Sequence, residues 1–157
     1  MIEVEIEDPA WTQALPEAAA LAIGSAQAAL RIAPAQPSEG EQLVLLLTDD
    51  AALRELNGRF RGKDQPTNVL SFPAAANPEG HLGDVALAFG VCAREAAEQG
   101  KSLAAHLQHL VAHGVLHLLG YDHMSENEAC EMEGLERVVL AGLGVADPYE
   151  AGERDHD

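Results

Sequence analysis

His113, His117 and His123 occur in the stretch HGVLHLLGYDH with the spacing His-x3-His-x5-His. Residues four apart on an α-helix share a face and lie about 6 Å apart along its axis. His113 and His117 can therefore present two imidazole nitrogens to one cation. Gly120 can leave the helix with positive φ, so the chain can turn there and bring His123 back as a third ligand. Three neutral histidines with an open fourth position describe a catalytic zinc site, because structural zinc sites close all four positions and favour cysteine. Zinc is the expected metal, although nickel or another divalent ion also suits imidazole.

Helical projection adds His106 and His109 to the stripe that carries His113 and His117. They lie one and two turns before the site and are expected to be core histidines or to stand behind the ligands, each bonding a carbonyl or a carboxylate. Leu107, Leu110, Val111, Val115, Leu116, Leu118 and Leu119 give the helix enough apolar surface to be buried on much of its circumference. Asp122 could orient a ligand imidazole or accept a proton, and Gly-Tyr-Asp-His also reads as turn chemistry. Tyr121 could pack or stack on a base. Position 114 is a negative: zinc peptidases with an HExxH helix carry their general base there, and this chain has Gly114. A cation can still bring the pKa of a bound water to about 7 by charge alone. Phosphodiester cleavage further needs positive charge where the phosphorane develops. Arg61 is the candidate, since a guanidinium can bind two phosphate oxygens at once.

The elements that must position these residues are legible in outline. Residues 2 to 7 alternate as a half-exposed strand does. Residues 12 to 32 have helical, Ala-rich spacing, with boundaries blurred by Pro16 and Gly24. Leu43 to Leu47 is a continuous apolar run that suits a strand covered on both faces. Thr48, Asp49 and Asp50 offer caps for a short helix through Leu53 and Leu56. Strands are expected at 67–73 (TNVLSFP) and 84–89 (DVALAF), and helices at 92–99 and from about Ser102 to Leu119. A last helix opens on the capping box Ser125-x-x-Glu128 and runs to about Ala141. The expected fold is α+β, one mixed sheet of about four strands against helices, with the metal helix in the C-terminal part. The whole of 1–157 reads as a single domain.

The formal charge of −17 argues against unassisted binding to a polyanion. Four of the nine basic residues, Arg54, Arg59, Arg61 and Lys63, nevertheless fall in one short segment, which is either an ordinary solvated helix end or a place to hold one phosphate. The C-terminal part is acidic, with Glu126, Glu128, Glu131, Glu133 and Glu136. No apolar run is long enough for a membrane span, and the acidic N-terminus does not resemble a signal peptide. A cytoplasmic location is expected, with Cys92 and Cys130 as reduced, half-buried thiols that serve no metal.

RGKDQPTNVLSFP, then LGDVALA, then HGVLHLLGYDH resemble, in order and spacing, the YbeY family of bacterial metal-dependent endoribonucleases, or rRNA maturation factors. The resemblance runs from about residue 54 to Tyr149; the histidine segment is highly specific, the first forty residues carry little. It implies a zincin-like fold, one Zn2+ on His113, His117 and His123, and the family's important arginine at Arg61. It implies single-strand-specific RNA cleavage in maturation of the 16S rRNA 3′ end and in ribosome quality control. The partners it implies are the 16S precursor, the small ribosomal subunit with one of its proteins, and the GTPase Era; neither DNA nor a membrane is expected. Many members carry Asp where this chain has Asn68, which puts a charged role there in doubt. Two other readings stay open: a metallohydrolase of peptides or small molecules, weakened by Gly114, and a ribosome-assembly factor whose metal is structural.

Overall fold

A computed structural model describes residues 2–32, 42–62, 67–73, 81–121 and 126–145. In chain order they form β1 (Ile2–Ile6), α1 (Ala10–Ala14), α2 (Ala18–Ile32), β2 (Gln42–Thr48), α3 (Asp50–Arg61), β3 (Val69–Pro73), β4 (His81–Ala88), α4 (Phe89–Glu98), α5 (Leu103–Leu118) and α6 (Glu126–Gly142). The fold is α+β with one four-stranded mixed sheet in the order β1-β2-β4-β3. β1 and β4 lie parallel to β2, and β3 runs antiparallel to β4. Pro73 ends β3 on an edge strand, where a missing ladder donor costs least.

The apolar run of β2 is covered on both faces, as its composition requires. Leu43, Leu45 and Leu47 join Val85, Leu87 and the apolar faces of α2 and α5 in the main core. Leu46 faces the other way, where Leu53 of α3, Leu70, Ala86 and Ala88 form a smaller cluster. Asp49 caps α3, its carboxylate accepting from Ala52 N at 2.8 Å.

Three boundaries depart from expectation. Pro16 divides the 12–32 segment into α1 and α2, whereas Gly24 is tolerated inside α2. Strand β4 ends at Ala88, and Phe89, expected in the strand, opens α4. The reason is tertiary: Asp50, from α3, accepts the hydrogen bond of Val91 N at 3.0 Å and so satisfies a donor of the new helix. The Phe89 ring then meets buried Trp11 edge-on with centroids 5.3 Å apart. Finally, β4 begins at His81 because a bulge at Leu82 shifts the register, with Gly83 at φ 154.

Helix α5 is held on several sides. Ser102 caps it, accepting from Ala105 N at 3.0 Å, and Ser25 of α2 donates to Gln108 O at 2.6 Å. On the sheet side, Gly114 lets the helix come close. A β-carbon there would lie 2.6 Å from Cγ1 and 3.3 Å from Cγ2 of the buried Val85, too close unless the valine or the helix shifts. Ser71 of β3 uses the same approach to donate its hydroxyl to Gly114 O at 3.0 Å. Gly114→Ala is therefore expected to lower stability by about 1–3 kcal/mol through overpacking. Urea denaturation of the purified variant reads this directly, and an unchanged midpoint would mean that the helix can lift from the sheet without penalty.

Candidate metal centre

The spacing of His113 and His117 becomes geometry on α5. Their Nε2 atoms are 3.1 Å apart and their rings meet edge-on, centroids 4.6 Å apart. Two ligands of a tetrahedral ion with metal–nitrogen bonds of about 2.0–2.1 Å stand about 3.3 Å apart. The pair therefore fits a shared cation with little adjustment. His113 keeps a quarter of its side-chain surface in solvent, so the pair borders the exterior and is not sealed in the core.

After α5 the chain turns as the sequence suggested. Gly120 has φ 100, Gly120 N bonds to His117 O at 3.0 Å and Tyr121 N to Leu116 O at 3.1 Å. This pair of bonds is a Schellman stop, and Tyr121 completes it by packing on Leu116 and Met132. That contact gives Tyr121 a packing role. His123, Asp122 and the cap Ser125 lie outside the described residues. Among the described residues no three potential ligands converge; the two that approach each other are His113 and His117. Arg61 is the last residue of α3, and Gly62 at φ 69 caps the helix in the left-handed conformation. Arg54 and Arg59 are exposed on the same helix.

Behind the pair stands a residue that in the sequence is one of five acids in an acidic C-terminal part. Glu136 of α6 is 1% exposed. Its Oε1 accepts hydrogen bonds from His113 Nδ1 at 2.9 Å and from His109 Nε2 at 3.0 Å. Burial pushes its carboxyl up, but the bonds from the two histidines outweigh burial and hold it at about 2. The missed signal was periodicity: Met132, Glu136, Val139 and Leu140 form the buried stripe of α6, and an acid inside an apolar stripe needs a partner. Burial lowers the His109 ring's value below 6.5, which favours its neutral form.

A second group lies at the other end of the stripe. Glu95 of α4 accepts from His106 Nε2 at 2.9 Å and from Asn68 Nδ2 at 3.0 Å. Burial raises its carboxyl, and the two hydrogen bonds more than reverse this. Asn68 also accepts from Val69 N at 2.7 Å, so its amide ties the start of β3 to α4. The amide does what an Asp could not, since a second carboxylate would face Glu95 with like charge. Of the two kinds of partner expected, a carbonyl or a carboxylate, His106 and His109 each bond a carboxylate. The cysteines differ from expectation: Cys92 is fully buried, with its thiol pushed up by burial, and Cys130 is exposed. No described helix is long and apolar enough to cross a membrane.

The family model described as Endoribonuclease YbeY matches residues 5–144. The chain belongs to this family. An Azorhizobium caulinodans protein named endoribonuclease YbeY is 52% identical over 152 residues, covering 94% of this chain and 95% of its own. One of the same name from Paramagnetospirillum magneticum is 52% identical over 163 residues, covering 94% of each. The solution structure of TM1509 from Thermotoga maritima is similar in fold, with a TM-score of 0.54 at 22% identity, covering 99% of this chain and 98% of that one. Family membership extends into the first forty residues, where the motifs had carried little signal.

The titrations of the centre have a definite sign. Glu136 passes from an ordinary value of 4.5 in the unfolded chain to about 2 in the folded one. Its contribution to stability is complete above pH 4.5 and is lost as the pH falls toward 2. Acidification also relaxes the repulsion of seventeen net negative charges, which acts in the opposite direction. The informative quantity is therefore the stability of the metal-free protein minus that of Glu136→Gln, each from urea denaturation between pH 6 and pH 3. This difference is expected to be constant down to about pH 4.5 and to shrink below it; a difference that grows on acidification would reverse the assignment.

Proposed function

We propose that this chain is a zinc-dependent, single-strand-specific endoribonuclease that acts in the cytoplasm on the 3′ end of 16S rRNA and in ribosome quality control. The observation that carries the reading is the convergence of the two Nε2 atoms at 3.1 Å in a chain whose family is named for RNA cleavage. His113 and His117, joined by His123, would hold the cation. Bound there, a divalent ion supplies a Lewis acid for the phosphodiester and acidifies a water.

The chain's own residues do the rest. Arg61 holds the scissile phosphate and offsets the charge it gains, a task that suits a guanidinium's two parallel donors. Gly114 leaves no side chain at the position of the peptidase base, and the close approach to Val85 admits none; this favours RNA over peptide as substrate. The large negative charge suits a protein whose substrate is delivered by a partner: the small ribosomal subunit, one of its proteins and the GTPase Era fit that part. Free single-stranded RNA is then held weakly and with strong dependence on salt.

A chelator is expected to abolish cleavage of a defined 16S 3′-end fragment, and zinc to restore it. His117→Ala should lose cleavage while remaining folded; unfolding of the variant together with loss of ribosome association would instead favour a structural metal. Arg61→Glu should reduce cleavage by about 100-fold or more with nearly unchanged thermal stability. A large fall in its melting temperature would assign Arg61 to a structural ion pair. The product ends separate two routes: a 2′,3′-cyclic phosphate means attack by the neighbouring ribose hydroxyl, a 5′-phosphate means attack by water.

A further inference from the structure

We propose that Glu136 is a positioning residue: it selects the ring tautomer of His113 and so sets how tightly the centre holds a divalent cation. This rests on the metal reading above. An ionised carboxylate only accepts hydrogen bonds, so the two ring nitrogens that approach Glu136 Oε1 must each bring a proton. His113 therefore carries its proton on Nδ1. A neutral imidazole has one N–H, and His113 Nε2 is left as a lone pair aimed toward His117 Nε2. In water histidine favours the opposite tautomer, with the proton on Nε2, which is unable to ligate through that atom.

The carboxylate can impose this choice because it has no freedom to leave. Glu136 is 1% exposed on the interior stripe of α6, and His109, one turn before His113 on α5, binds the same oxygen. Two imidazoles from one helix thus clamp one carboxylate from the other. His109 restrains Glu136, and Glu136 restrains His113. A buried anion bonded to a ligand's distal N–H also makes that ligand more basic and strengthens its hold on a metal. No feature of the His-x3-His-x5-His motif contains this, because the anion comes from a different helix.

The test reads tautomers and affinity rather than cleavage. Metal-free protein labelled with 15N, at pH 7.5, is examined by long-range 1H–15N correlation of its histidine rings. Zinc affinity is measured by competition with a fluorescent chelator for the wild type and for Glu136→Gln, which keeps the size of the side chain and removes its charge. The expected result is a neutral His113 ring protonated on Nδ1 in the wild type, mixed tautomers in the variant, and zinc binding weakened about 10–100-fold. A wild-type His113 protonated on Nε2, or doubly protonated, overturns the inference without need of any variant. Unchanged zinc affinity in a folded Glu136→Gln overturns it as well. A wild type that shows the Nδ1–H tautomer but binds no zinc sinks the metal reading and leaves the tautomer assignment upheld.

Discussion

The candidate centre depends on a buried anion. Glu136 brings a full negative charge to the contact between α5 and α6, where an unpartnered carboxylate would be expensive. It is tolerated because two imidazole N–H groups converge on one of its oxygens. The same bonds lock the rings of His109 and His113 in place. A ligand pair on an exposed helix would sample many rotamers; here one member is fixed by a hydrogen bond behind it and by a buried helix beneath it. The charge that would destabilise an empty core organises this one.

The helix itself is placed by small residues and capping groups as well as by its buried apolar stripe. Gly114 allows contact with Val85 and Ser71 that any β-carbon would prevent. Ser25 and Ser102 fix it from α2 and at its N-terminus, and the Schellman turn at Gly120 sends the chain away from the helix within two residues of Leu118. Positions 113 and 114 point in directions about 100° apart. One therefore borders the exterior beside His117 while its neighbour faces the sheet as the point of closest approach.

Much of this was legible in the residues. The strands, the histidine-bearing helix, the glycine turn and the pairing of His113 with His117 all follow from local periodicity and spacing, which a chain states directly. What escaped was non-local. Glu136 looked like one more acid in an acidic segment, since its burial depends on α6 facing α5. Phe89 looked like the end of a strand, since the cap that starts α4 there is Asp50, forty residues earlier in the chain. Asn68 looked like a departure from a family pattern, and the amide's bond to Glu95 gives it a purpose that only the packing of β3 against α4 reveals.

The central claim is that imidazoles alone bind the cation through protein atoms, with a coordination position left over for chemistry. Zinc K-edge X-ray absorption of the zinc-loaded protein tests it most directly. The account predicts nitrogen and oxygen neighbours at about 2.0–2.1 Å, with outer-sphere scattering from three imidazoles that falls to two in His117→Ala. A sulfur neighbour at about 2.3 Å, or a fourth protein ligand closing the shell, would contradict it.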